Sequence, residues 1–490
     1  MTKLDPGHIR QCVAKYFKWT MFSHTWEGEE PTFQEVNSVG SVQNLDVSQL
    51  NEKLRQFCET AREGGGRWVW SDTCCIDKST SAILSQSLTS MYGWYEEAAE
   101  TLVYLADVLS SAGFGALSTS RWMTRAWTLQ ELLGSRVIRF YTSDWKLYLN
   151  DKHVNHKESP AIKEELALAM GVAPETITNF RPESLGVREK LRLASNRSAT
   201  VQEDIAYSLI GIFSSDIAPR YGIGKAALGQ LLENIVARTG DVTVISWTGK
   251  SLPYNSALPA SLAVYSQTPY RPQPMEVNEL DRCVEQLRAG SEPHATLGLY
   301  YDIIKLPQAT FSNRCLQLPC IVFPVAKIGV QELGDSQGVL YRATVSLLDK
   351  VEFRTADVIP LTKPRKLVFV HPWLHDLCDL DESVSDGEAA SDVSSGDGSE
   401  GDSNRKSDDG TDDTSAPISP ESAEPLVRVD SSTQALRLIT RLGRPFNALL
   451  LEQQSNKQYK RVAAEYEIIV PGILFQTDPK DIRAKVLEII

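Results

Sequence analysis

The sequence lacks the marks of several protein classes. No apolar run approaches the roughly 18 residues that a membrane-spanning helix needs. The opening stretch, MTKLDPGHIRQCVAKYF, has no apolar core of the kind a secretory leader carries. Cysteine is sparse: eight in 490 residues, with one adjacent pair (Cys74, Cys75). That excludes a disulfide framework and fits a reducing interior, so a cytoplasmic setting is expected. Basic excess is missing too, with 50 Lys and Arg against 63 Asp and Glu. The chain therefore has no electrostatic footprint for nucleic acid or an anionic membrane. Its formal charge of −13 is local, because Asp379 to Glu424 holds fifteen Asp/Glu against two Lys/Arg. The remainder is close to neutral.

Familiar catalytic and ligand-binding strings are also absent. There is no G-x-G-x-x-G after the first strand, no H-E-x-x-H, no G-x-S-x-G and no paired zinc-type C-x-x-C. YGIGK lacks the spacing of a phosphate-cradling loop and reads as a turn at a helix start. His371, His375 and Cys378 in HPWLHDLCD have no fourth ligand at a suggestive spacing, and His153 and His156 in HVNH are as thin. No metal site and no permanently bound cofactor are expected.

Length predicts two or three domains. Through residues 1–150, strand-like and helix-like segments alternate. KYFKWTMFS, RWVWSD, TLVYLAD and RVIRFYT read as strands. Between them, Leu50, Leu54, Phe57, Cys58 and Ala61 share a helical face that ends at Gly64–Gly66, and Leu84, Leu88, Met91, Tyr95 and Ala98 share another. This pattern predicts a parallel sheet with helices on both faces, in a flavodoxin-like order. Residues 151–250 read as a helical extension packed on that domain, closing with a strand at DVTVISW. Residues 251–378 and 426–490 read as a mainly β domain, with TLGLYYDIIKL, CIVFPVAKI, YRATVSLL, KLVFVHP, NALLLEQ and RVAAEYEIIV as β-like runs. The acidic segment 379–425 has almost no aliphatic residues and reads as a disordered loop inserted into the β domain.

In an open α/β sheet, ligands bind beyond the carboxyl ends of the strands. That rule selects Ser23, His24, Thr25 and Trp26 after the first strand and Asp72, Cys74 and Cys75 after the second. It also selects Asp107, at the end of the third strand, and the helix of SRWMTRAWTLQELLG with Trp127 and Glu131. Each has a plainer reading: turn caps for Ser23, Thr25 and Asp72, small buried residues for the cysteines, core packing for Trp127. On bare sequence Glu131 reads as an ordinary helix charge.

The strings FSHTW, WVWSDTCCIDK, MYGWYEEAAETLVYLADV and RWMTRAWTLQELL follow, in order, the motifs of the fungal heterokaryon-incompatibility (HET) domain. NRSATVQEDIAYSLIGIF and YGIGKAALGQLLENI resemble the segment that follows it in many such proteins. The resemblance covers Tyr16 to Trp247 and implies an effector of non-self recognition that triggers cell death. It also implies self-association and an incompatibility partner protein. HET domains are held to be remote kin of TIR domains, which share a flavodoxin-like sheet. Several of those cleave NAD between nicotinamide and ribose by means of a helical glutamate. WTLQEL matches the spacing of the plant TIR string W-C-x-x-E-L, which implies Glu131 as the catalytic residue and NAD as a substrate. Ser23, His24, Trp26, Asp72 and Trp127 would then bind it. A non-enzymatic adaptor acting by self-association is the alternative. Two positions depart from the family pattern: Ala126, where glycine is frequent, and Ile223, where an acidic residue is common.

Overall fold

A computed structural model describes residues 5, 7, 16–40, 49–273, 275–290, 293–332, 339–348, 350–356, 358–360, 365–373, 431–472 and 479–490. The expected acidic insertion at 379–425, along with His375 and Cys378, lies outside the described residues.

Strands β1 (Trp19–His24), β2 (Trp68–Trp70), β3 (Glu100–Tyr104) and β4 (Ile138–Tyr141) pair in parallel, in the order β2–β1–β3–β4. Parallel neighbours require crossovers. α1 (Phe33–Val39) and α2 (Gln49–Glu63) make the first, α3 (Ser81–Glu97) the second, and α4 (Arg121–Thr124) with α5 (Trp127–Gly134) the third. Alternation along β1 sends successive side chains to opposite faces. Phe22 packs with Leu54, Phe57 and Ala61 of α2, while Met21 packs with Leu88, Met91 and Tyr95 of α3. Helices thus cover both faces, as the periodicity predicts. α2 ends at the glycine triplet, where Gly65 takes φ +85° and the Gly66 amide returns to the Ala61 carbonyl at 2.8 Å.

Beyond the sheet lie α6 (Pro160–Met170), α7 (Pro174–Asn179), α8 (Val187–Ala194), α9 (Asp204–Tyr207) and α10 (Ala226–Thr239). The predicted strand at DVTVISW is instead a 3₁₀ turn, Val242–Ile245. Asp241 caps it by accepting the Thr243 amide at 2.7 Å, so a local side-chain bond overrides a β-branched pattern. The same core cluster contains Val103 and Leu129 of the sheet region, Leu166 and Leu231 of the helices, and Leu318 and Leu487 further on. The helical segment is therefore continuous in packing with both of its neighbours.

The last region is mainly β. A short hairpin of β5 (Ser251–Leu252) and β6 (Asn255–Pro259) precedes α11 (Val277–Gly290) and α12 (Pro293–Ile304). TLGLYYDIIKL is thus mostly helix rather than strand. Its buried positions, Thr296, Leu299 and Ile303, recur at helical spacing behind a β-branched and aromatic composition. There follow β7 (Thr310–Ser312), β8 (Cys315–Glu332), β9 (Val339–Val345), β10 (Lys350–Phe353), β11 (Leu367–Pro372), α13 (Ser431–Leu442), β12 (Phe446–Gln453), β13 (Tyr459–Val462), β14 (Ile468–Val470) and β15 (Arg483–Ile489). Pairing runs β8–β11–β12–β13–β15 and returns from β15 to β8, closing a ring of strands. Arg461 of β13, buried, donates to the Ile245 carbonyl at 2.7 Å and the Trp247 carbonyl at 2.6 Å. Its guanidinium lies 3.8 Å from the Trp247 ring centroid, which stitches the ring to the end of the helical segment.

One close approach fixes how the helical segment meets α3. A Cβ built on Gly211 would overlap Tyr92 Cβ and Cγ, so the backbone there touches the tyrosine directly. Gly211→Ala should destabilise the fold by about 1–3 kcal/mol, the usual penalty of overpacking, measured by urea denaturation. An unchanged midpoint would show that the two segments separate freely.

Candidate functional site

The functional question turns on α5. Every residue from Thr128 to Gly134 is buried, so this helix has no solvent face on which to place a charge. Glu131 is 7% exposed. Its carboxylate points to the carboxyl end of β1, where the Ser23 hydroxyl donates to Oε2. Ser23 is in turn held by the Trp122 indole N–H, 2.7 Å from its Oγ. Tyr95 of α3 closes the other side: its hydroxyl donates to the Phe22 carbonyl at 3.1 Å and lies within hydrogen-bonding reach of Glu131. Burial pushes the Glu131 carboxyl up to about 8, and the Asp72 charge adds to this against the Ser23 hydrogen bond, Arg125 and Arg197.

The two-residue period of β1 divides the predicted site. Ser23 faces α5 with Glu131. His24 points the other way, stacked on Phe22 with ring centroids 4.3 Å apart. There it stands between two carboxylates, with Nε2 3.4 Å from Asp72 and Nδ1 3.8 Å from Glu30. Neither ring nitrogen makes a hydrogen bond. Glu30 also receives the ammonium of buried Lys53 at 2.5 Å. Asp72 links the halves of the site. It accepts the Trp26 indole N–H at 2.9 Å, pairs with His24, and raises the Glu131 carboxyl through space. Its own carboxyl, pushed up by burial, ends below the usual range because His24, Lys78 and Trp26 stabilise its charge.

Trp26 is exposed, with the Lys78 ammonium 3.9 Å from its ring centroid. Trp127 packs against two core clusters and its indole bonds Asp204 of α9. Asp107 lies three residues beyond the end of β3 and accepts the Arg121 amide at 2.8 Å. Of the vicinal cysteines, Cys74 is half-buried, whereas Cys75 is exposed and accepts the Ser71 amide at 3.4 Å. A hydrogen bond from Cys74 holds the Cys75 thiol down to about 7.

Three residues of the site were not singled out as such by spacing. Tyr95 reads from spacing as part of a helical face and Trp122 carries no sequence signal; only the fold aims their polar atoms at Glu131 and Ser23. Arg197 arrives from the segment after α8. It donates to the Arg125 carbonyl at 2.9 Å and to Thr128 Oγ1 at 2.8 Å, behind Glu131. Burial lowers its guanidinium to about 10, offset by the Glu131 charge. The strand-like bridge between Arg125 and Ser198 brings it there. The departures from the family pattern are absorbed locally. Ala126 has φ −63°, which suits any residue. Ile223 sits in a turn whose flanking Gly222 and Gly224 amides both donate to Glu203 at 2.8 Å.

Among the described residues of the histidine strings, His153 is exposed and pairs with Asp151 at 2.6 Å, while His156 and His371 pack inside. His156 is buried, and its Nδ1 accepts the Phe140 amide at 3.0 Å. His371 stacks on Phe446, and burial pulls it down to about 4. No group of three or more His, Cys, Asp or Glu among the described residues has the geometry of a metal site. No helix among them is long and apolar enough to cross a membrane.

The arrangement defines an α/β domain with a desolvated carboxylate at its strand ends. Residues 19–119 match the heterokaryon incompatibility protein (HET) family. It is similar to vegetative incompatibility protein HET-E-1 of Podospora anserina, with 32% identity over 245 residues. That alignment covers 47% of this chain and 17% of the relative. No solved structure matches. Ser23, His24, Trp26 and Asp72 fall inside the family match, whereas Trp122, Glu131 and Arg197 lie beyond it.

The raised carboxyl sets a pH signature. Glu131 stays protonated in the fold up to about 8, while its ordinary value is 4.5, so the unfolded chain releases the proton first. Its contribution to stability is complete below the lower value and is lost as pH rises through the higher one. Glu131→Gln should therefore gain thermal stability over the parent as pH climbs from about 5 to 8. Parallel melting curves across that window would place Glu131 at an ordinary pKa.

Proposed function

We propose that the chain is an incompatibility-type effector of non-self recognition that promotes cell death, and that its HET domain acts as a TIR-like NAD glycohydrolase. The observation that carries this reading is the Glu131 carboxylate, withdrawn from water beside Ser23 at the end of β1. The strand order β2–β1–β3–β4 supports it, being that of the first four strands of a flavodoxin-like sheet. The likeness to HET-E-1 supports the incompatibility role.

In the reaction, the bond between nicotinamide nitrogen and ribose C1′ breaks and its electron pair leaves with nicotinamide, which departs neutral. The ribosyl oxocarbenium ion left behind needs a negative neighbour, and Glu131 supplies it. Water then adds at C1′ and releases a proton, giving ADP-ribose. Ser23, held by Trp122, orients the carboxylate, and Asp72 serves the ribose hydroxyls. The exposed face of Trp26 takes the flat base, opposite Lys78. Burial of Glu131 matters here because a carboxylate in a dry site stabilises a nearby cation far more than one in water. The cationic nicotinamide ring favours its ionised form on binding.

Incubating the full chain with NAD, at concentrations that allow self-association, should release nicotinamide. Glu131→Gln should lower the rate by about 10²-fold or more. The parent kcat/KM should rise with pH up to about 8, as the free carboxyl ionises. Asp72→Asn should shift that limb to lower pH, because it removes a charge that opposes ionisation. Burial of Glu131 against a serine also suits a purely structural carboxyl in an adaptor. Cell killing that survives Glu131→Gln, with NAD untouched, decides for the adaptor.

A further inference from the structure

A second site lies at the other end of α5. Where that helix ends, a cavity of about 850 Å³ opens between the sheet domain and the helical segment, with Lys157 on its wall. Lys157 is 1% exposed, and its ammonium donates to the Ser135 carbonyl at 2.5 Å. No protein carboxylate pairs with it among the described residues, and burial alone pulls its amine down to about 7. Withdrawing an ammonium from water without a counter-charge costs several kcal/mol in a fold that gains nothing from it. A buried amine without a counter-charge on a cavity wall is a candidate binding or catalytic group.

The rest of the wall says what it would bind. Arg136, between α5 and β4, and Arg181, after α7, also line the cavity, and neither forms a salt bridge among the described residues. Both are exposed, so they stand toward the mouth while Lys157 stands inside. Three basic side chains from three separate segments, two of them forked guanidiniums, match the oxygens of a phosphate group, whose charge favours the protonated form of Lys157 on binding. Tyr92 and Phe180 add flat apolar surface for an organic body. Glu96 and Glu183, which also line the cavity, repel a bare anion but accept hydrogen bonds from hydroxyl groups. The volume falls in the range of small-molecule sites, ~300–1,000 Å³.

We propose that this cavity binds a hydroxyl-bearing phosphomonoester, a sugar phosphate, with its phosphate on Lys157, Arg136 and Arg181. The site is independent of the NAD reading, because Ser23, His24, Trp26, Asp72 and Glu131 are not among the residues that line it. Ribose 5-phosphate, titrated calorimetrically into the full chain, should bind saturably. Inorganic phosphate should bind more weakly and ribose not at all. Lys157→Met should weaken ribose 5-phosphate at least tenfold while melting no lower than the parent, since it removes a buried amine. Arg181→Gln should weaken it less, and Glu131→Gln should leave it within twofold. The proposal is overturned if ribose 5-phosphate gives no saturable binding, or if Lys157→Met binds as the parent does. Equal affinity for inorganic phosphate removes the sugar from the assignment. Loss of binding in Glu131→Gln moves the ligand to the crevice.

Discussion

Burial of α5 on all sides is the constraint to which the rest of the domain answers. An eight-residue helix enclosed by α3, the sheet and the helical segment can hold a glutamate only if that carboxyl has partners. Ser23 supplies the hydrogen bond, Trp122 orients Ser23, and Arg197 brings positive charge from a different part of the chain. Without the helical segment there would be no Arg197 behind Glu131 and no wall on the far side of α5. This gives a physical reason why the segment after the sheet packs as part of the same core instead of standing apart.

The same helix joins two polar environments of opposite character. At its middle, a carboxyl is pushed up by burial and by Asp72. Just past its end, an amine is pulled down by burial at the Ser135 carbonyl. Ser135 lies between them: its own carbonyl accepts the Lys157 ammonium, and its hydroxyl donates to the Glu131 backbone carbonyl at 2.6 Å. Each group is held near neutrality by the same cause, removal from water. On the α2 side of the sheet, polar groups instead stand in a row from Lys53 through Glu30 and His24 to Asp72.

Much of the sheet was legible because its signals are local. Alternation in β1, the helical faces of α2 and α3 and the glycine triplet all report backbone geometry within a few residues. The strand-edge rule reached Ser23, His24, Asp72 and Glu131 without knowledge of their contacts. The failures also have local causes. At DVTVISW a capping aspartate overrode β-branched composition, and at TLGLYYDIIKL composition hid a helical period. Tyr95 counted as part of a helical face and Trp122 was not singled out, since spacing alone does not say where a hydroxyl or an indole N–H points.

The order of strands and helices, the concentration of acidity in one segment and the placing of Glu131 on a helix next to a strand edge are properties of the sequence by itself. They follow from periodicity and composition, which act over short stretches of chain. That Glu131 is dry, that Ser23 and not His24 shares its side of the sheet, and that Lys157 lacks a carboxylate were decided only by the tertiary structure. Those facts depend on residues as far apart as Ser23 and Arg197. Desolvation is a property of everything that surrounds a group, and no neighbourhood in the sequence contains it.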